Sequence, residues 1–326
     1  MNKETLIYFL VAFGLALAAA PILIDLLKRA KARQEILKYV DWHKSKTGTP
    51  TMGGWIFILP LIVLCPFILD RTTPLGTIAV IAAVSYGLLG FFDDFLKVRR
   101  ADNLGLRAYQ KIIGQGGIAV LVGVFYYMAN PEGRILIPFA NVTWDIGFWI
   151  LPLTILVLVA TTNAVNLTDG VDGLAASVSL VYLLFLGALV GLVSAFMPLL
   201  ETNTIFCIIA IVAGGILCYL LFNTNKAKVF MGDTGSLFLG GLIACLSLFS
   251  LMGLFIIILG AMFVLSALSD IIQVAYFKLT HGKRVFLMAP FHHHLEKKGW
   301  TEARICALYC ICTALAGVFC LLTFVK

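Results

Sequence analysis

The stretch Asn163-Ala164-Val165-Asn166-Leu167-Thr168-Asp169-Gly170-Val171-Asp172-Gly173 joins two long apolar runs, 149–160 and 174–193. Asn163, Asn166, Asp169 and Asp172 recur every three residues. If the first run is helical, the two asparagines share a face of its last turn. The two aspartates then fall at the start of the next helix, where the dipole favours carboxylates. A cap and a glycine turn explain Asp169 alone. Two amides and two carboxylates beside a bilayer indicate a polar site, because such groups are costly there.

The flanking runs set the class of the chain. Of 326 residues, 61% are hydrophobic and 13% charged, and the mean hydropathy is +1.00. A soluble domain is about 45–50% apolar and about 25% charged. The chain reads as an all-α integral membrane protein, a single polytopic domain over 1–326. Segments of ~20 apolar residues cross a bilayer. Ten qualify: 5–27, 54–70, 74–96, 112–129, 148–165, 174–194, 204–222, 235–253, 254–278 and 304–325. Only Ser250–Gly253 separates the eighth from the ninth. Ala18-Ala19-Ala20 resembles a cleavage site, but the long apolar run and the basic cluster after it fit a retained anchor.

Charge orients the bundle. Segments 28–53, 97–111, 166–173, 223–234 and 278–304 carry 20 of the 24 Lys and Arg. Positive loops stay in the cytoplasm, so these five face inward and both termini face out. The net charge of +7 is mainly this signal. It also suits anionic headgroups or a phosphorylated substrate. No soluble part is left to bind nucleic acid. The eight cysteines all lie in apolar segments, without metal or redox spacing, and read as small buried hydrophobes.

The inward loops carry the chemistry. Residues 28–40 alternate basic and apolar positions, as a helix on the membrane surface does. Lys46 and Thr51 lie in a Gly-Thr-Pro-rich stretch, 46–54, suited to phosphate. Asp93 and Asp94 end the third span, where the dipole opposes them, so Lys97, Arg99 and Arg100 or a metal must offset them. Neighbours on a helix diverge by about 100°, so the pair is expected to do two jobs. Asp233, between Gly232 and Gly235, combines free N–H groups with a carboxylate for a cation. Asp270 and Gln273 are i and i+3 near the inner end of the ninth span. His292, His293 and His294 are consecutive, which suits phosphate donors or acid–base work better than zinc. On the outer side, alternation over 134–139 predicts a short periplasmic β-hairpin.

In this order, Asp93-Asp94, the 163–173 loop, Met231-Gly232-Asp233-Thr234-Gly235-Ser236 and the histidine loop resemble the polyprenyl-phosphate N-acetylhexosamine-1-phosphate transferases. Thr49-Pro50-Thr51-Met52-Gly53-Gly54 and Phe291-His292-His293-His294-Leu295-Glu296 are similar to the phospho-N-acetylmuramoyl-pentapeptide transferase family within them. The resemblance spans essentially the whole chain. It implies a bacterial inner-membrane enzyme that moves phospho-MurNAc-pentapeptide from UDP-MurNAc-pentapeptide to undecaprenyl phosphate, giving lipid I and UMP and using Mg²⁺. It implies Asp233 as the metal ligand, Asp93 and Asp94 as catalytic, and His292 as essential. It places Asn163, Asn166 and Asp169 at the nucleotide or its supports, Lys46 at phosphate, and Phe230 on uracil with Asn223 nearby. Thr51, Lys97, Asp172, Gln273, His293 and His294 complete the expected substrate contacts, and a homodimer is an open expectation. One departure is Gly105-Leu106-Arg107-Ala108-Tyr109-Gln110-Lys111, where the family usually has Gly-Leu followed by Ala-Arg-x-Lys. Two other readings compete: the sibling activity on UDP-GlcNAc, which the histidine loop disfavours, and an ion-coupled transporter. A transporter calls for midplane acids and repeated halves, and neither is visible.

Overall fold

The computed structural model describes residues 2–30, 48–69, 74–100, 105–140, 142–196, 201–224 and 226–324. Lys46 and most of the expected surface helix at 28–40 lie outside them. Twelve α-helices are described: α1 (Lys3–Arg29), α2 (Trp55–Ile68), α3 (Leu75–Arg100), α4 (Ala108–Ala129), α5 (Ile150–Thr168), α6 (Leu174–Phe196), α7 (Thr202–Asn223), α8 (Gly232–Phe249), α9 (Phe255–Leu259), α10 (Ala261–Leu279), α11 (Phe291–Lys297) and α12 (Glu302–Leu321). Among the described residues, nine are long and apolar enough to span a membrane, and α2 is a shorter apolar helix of 14 residues.

The ten expected spans correspond to these helices, with one correction. The expected ninth span, 254–278, is two helices. Ser250 ends α8, Leu251 takes a φ of 62°, and α9 runs only to Leu259 before Gly260 restarts the chain as α10. Apolarity continues across Gly260, so hydropathy could not show the break.

The hairpin at 130–147 is present. β1 (Arg134–Leu136) pairs antiparallel with β2 (Thr143–Asp145), with Ile135 opposite Trp144. Arg134 forms an ion pair with Glu132 across the turn.

Helix α8 is the centre of the bundle: every residue from Thr234 to Phe249 is buried. Helices in lipid gain little from apolar burial against one another, so close packing of small residues brings them together. Around the N-terminus of α8 these residues are glycines. A Cβ on Gly90 of α3 would overlap the carbonyl of Asp233, and one on Gly54 would fall 2.6 Å from the nitrogen of Gly235. Backbones of α2, α3 and α8 therefore meet almost directly, at the end of the bundle that carries Asp93, Asp94 and Asp233.

Candidate active site

The first turn of α8 needs partners for its free N–H groups. Its N-cap, Met231, supplies none from its side chain. Asp94, from the last turns of α3, supplies them instead. The Asp233 N–H donates to Asp94 Oδ1 at 3.2 Å, while the Thr234 N–H and Oγ1 donate to Oδ2 at 3.0 and 2.7 Å. Gly232 has a φ of 72°, which favours glycine. Any Cβ there would collide with Asp94 Oδ2 and lie 2.6 Å from Thr51 Oγ1.

With α8 so held, Asp233 reaches a cluster of opposite charge. Its Oδ2 lies 2.8 Å from Lys97 Nζ and 3.0 Å from Lys111 Nζ. Its Oδ1 accepts from Asn166 Nδ2 at 2.5 Å, and the same amide donates to Ser236 Oγ at 2.8 Å. Lys97 also pairs with Asp93 Oδ2 at 2.6 Å. Asp93 Oδ1 accepts the Leu106 N–H at 2.7 Å, and a Cβ on Gly105 would come within 2.5 Å of it. The adjacent aspartates do point apart: Asp93 to the lysine and the 105–106 loop, Asp94 to α8. Asp93, Asp94 and Asp233 offer carboxylate oxygens within 4.8 Å of one another. An all-oxygen set of carboxylates fits a hard ion such as Mg²⁺ rather than zinc.

The 163–173 stretch divides differently from expectation. Asn163 and Asn166 do share a face of α5. Asn163 Nδ2 donates to Gln115 Oε1 at 2.7 Å, and Asn166 meets Asp233. However, Asp169 closes α5 as its C-cap, and α6 begins only at Leu174, so neither aspartate opens the next helix. The Asp172 carboxylate turns away to accept the Ala227 N–H at 3.0 Å, because Gly173, with a φ of 74°, reverses the chain before α6 starts. The Asp172 N–H donates to Glu302 Oε2 at 3.1 Å. Asn223 is buried and braces the same turn, accepting the Gly173 N–H and donating to the Val229 carbonyl, each at 2.8 Å. Phe230 is half-buried. Its backbone pairs with Pro50 and Gly53 at 2.8 Å each, which seats Thr51 beneath Gly232. Burial pushes the Asp169 carboxyl up to about 8, and the charges of Asp233, Asp94 and Asp172 add to this.

The histidines sit on α11, which a polar stripe of α10 holds. Ser269 Oγ accepts the Phe291 N–H at 2.9 Å. Gln273 Oε1 accepts the N–H groups of Val285 and Phe286 at 3.1 and 2.9 Å, so this side chain supports the loop into α11. His292 is fully buried, and a Cβ on Gly170 would strike its Nε2. His293 Nδ1 lies 2.5 Å from Glu296 Oε2. His294 Nδ1 accepts the Leu287 N–H at 3.1 Å. Burial and the charge of Lys298 hold His294 below its ordinary value, in keeping with an accepting, neutral ring.

Sequence reasoning missed Lys111, Gln115, Thr234, Ser236 and Glu302. Lys111 and Gln115 are i and i+4 on α4, polar positions on one face of an apolar helix, and that spacing was the available signal. Thr234 and Ser236 read as ordinary small residues of a helix start.

Residues 76–251 match the model of glycosyl transferase family 4. A phospho-N-acetylmuramoyl-pentapeptide-transferase of Clostridium kluyveri is 46% identical over 322 residues, covering 97% of each chain. One from Clostridium botulinum (strain Alaska E43 / Type E3) is 42% identical over 329 residues, covering 100% of this chain and 97% of its own. The chain belongs to the phospho-N-acetylmuramoyl-pentapeptide transferase family. A member from Listeria welshimeri, 39% identical, covers 91% of both chains. The family relationship therefore extends well past the matched core, through α10 to α12 and the histidine loop.

Proposed function

We propose that this protein transfers phospho-MurNAc-pentapeptide from UDP-MurNAc-pentapeptide to undecaprenyl phosphate, giving lipid I and UMP, with Mg²⁺ held at Asp233. One observation carries the reading: Asp93, Asp233, Lys97 and Lys111, from three helices, converge at the basic end of an apolar bundle. The positive-inside rule, by which that end faces the cytoplasm, supports a site at the inner surface of a bacterial cytoplasmic membrane. A soluble nucleotide donor and a lipid acceptor meet there.

An oxygen of the lipid phosphate attacks the sugar-bearing phosphorus, and the bond from that phosphorus to the bridging oxygen breaks as UMP leaves. Such a transfer needs alignment and charge neutralisation more than covalent chemistry. Mg²⁺, when bound, neutralises the pyrophosphate and its developing charge. Lys97 and Lys111 supply fixed positive charge at the same point. Asn166 orients Asp233, and the Leu106 N–H and Lys97 orient Asp93. Asp172 and Asn223 shape the nucleotide side by tying the 169–173 turn to the 223–230 segment.

The test is purified protein with UDP-MurNAc-pentapeptide, undecaprenyl phosphate and Mg²⁺. Lipid I and equimolar UMP are expected. Turnover of UDP-GlcNAc in its place, or no UMP at all, rejects the assignment.

A further inference from the structure

Asp94 is 3% exposed, and its carboxylate accepts from three donors in the first turn of α8. One of them is the backbone N–H of Asp233 itself. Gly90, one helical turn before Asp94, has no side chain to hold α3 and α8 apart. The carboxylate at i+4 is therefore delivered straight onto the N-terminus of α8. Asp93, one residue earlier, faces the lysine cluster instead.

We propose that Asp94 is a positioning residue that grips the first turn of α8 through Thr234 and so fixes where Asp233 presents its carboxylate, without itself touching metal or substrate. The proposal rests on the reading of Asp233 as the cation ligand. It makes Thr234, through its hydroxyl, part of the same device. A helix start gripped by a carboxylate has a defined rotation and height. Loss of that grip lets the Asp233 side chain move relative to Lys97, Lys111 and Asn166.

The experiment compares Thr234→Val, Thr234→Ser, Asp94→Asn and the Asp94→Asn/Thr234→Val double variant in the full-length protein. Mn²⁺ affinity is read by electron paramagnetic resonance without substrate, and Mg²⁺ half-saturation is read in turnover. Thr234→Val should weaken Mn²⁺ binding and raise the Mg²⁺ requirement roughly tenfold, as loss of a hydrogen bond to a charged group does, with KM for the donor unchanged. Thr234→Ser, which keeps the hydroxyl, should restore both. Asp94→Asn should act in the same direction and still bind Mn²⁺, and the double variant should be no worse than Asp94→Asn. Wild-type metal behaviour in Thr234→Val, or complete loss of Mn²⁺ binding in a folded Asp94→Asn, overturns the proposal. If Thr234→Val does not fold, Asp94→Asn with Thr234→Ser decides the matter by the same readouts. Unchanged Mn²⁺ affinity in Asp233→Asn would instead reject the site reading on which this rests.

Discussion

Lys111 Nζ stands 3.0 Å from Asp233 Oδ2, across 122 residues of sequence, and shares that oxygen with Lys97. Two cations on one carboxylate leave it partly neutralised and ready to exchange one of them. Lys111→Met should lower kcat/KM for the nucleotide donor about ten- to a hundredfold, the range for a charged hydrogen bond. It should also lower the Mg²⁺ needed for half-saturation, because a competitor for Asp233 is gone. Steady-state kinetics with Mg²⁺ titration measure both. A higher Mg²⁺ requirement would contradict this picture of exchange.

Removal of divalent cations should abolish turnover, because Asp93 and Asp233, which converge on Lys97, then lack the ion that would neutralise the pyrophosphate. Activity should return with Mg²⁺ or Mn²⁺. Full turnover in excess EDTA, or stoichiometric zinc in the purified protein, would count against an oxygen-ligated site.

Asp169 predicts a pH dependence. Its folded value of about 8 is raised above the ordinary 3.8. Protonated Asp169 therefore stabilises the fold, in full below about 3.8 and less and less as pH climbs through about 8. Metal-free protein should have a lower Tm at pH 9 than at pH 6, by a difference that Asp169→Asn narrows. Mg²⁺ favours the charged carboxylate, so its uptake near pH 7 should release a proton, which an indicator dye in weak buffer can count. A metal-free Tm that rises with pH over this range would reverse the sign and reject the assignment.

Gly170 and His292 predict a shared phenotype. A methyl on Gly170 collides with the His292 ring, so Gly170→Ala should cost turnover on the scale of His292→Ala. A drop on the order of 10²-fold is expected if His292 serves the reaction. Gly116 has open space around its Cβ position. Gly116→Ala should therefore keep wild-type turnover. Equal activity in the two glycine variants would separate His292 from the reaction.

Much of this was legible in the sequence. Apolar runs must be long enough to cross lipid, and Lys and Arg must collect on one side, so ten segments and five polar loops could be read directly. Asp93, Asp94, Asn163, Asn166 and Asp233 were legible as polar groups at membrane edges. Helical periodicity also told that Asp93 and Asp94 diverge and that Asn163 and Asn166 do not.

Tertiary structure decided what each of them meets. Periodicity gives the face a residue occupies on its helix, but neither the rotation of that helix nor its neighbour. Those depend on how closely backbones approach, which Gly54, Gly90 and Gly235 set around α8. That packing sends Asp94 to the first turn of α8 and brings Lys111 to Asp233. In the same way, Asp172 finds its partner at Ala227 because Gly173 turns the chain, and α9 separates from α10 at Gly260 inside one apolar run. Sequence alone determined which polar residues stand at the ends of apolar segments, because lipid tests each segment separately. Only the folded bundle decided which of them share a hydrogen bond, because that is a property of two surfaces in contact.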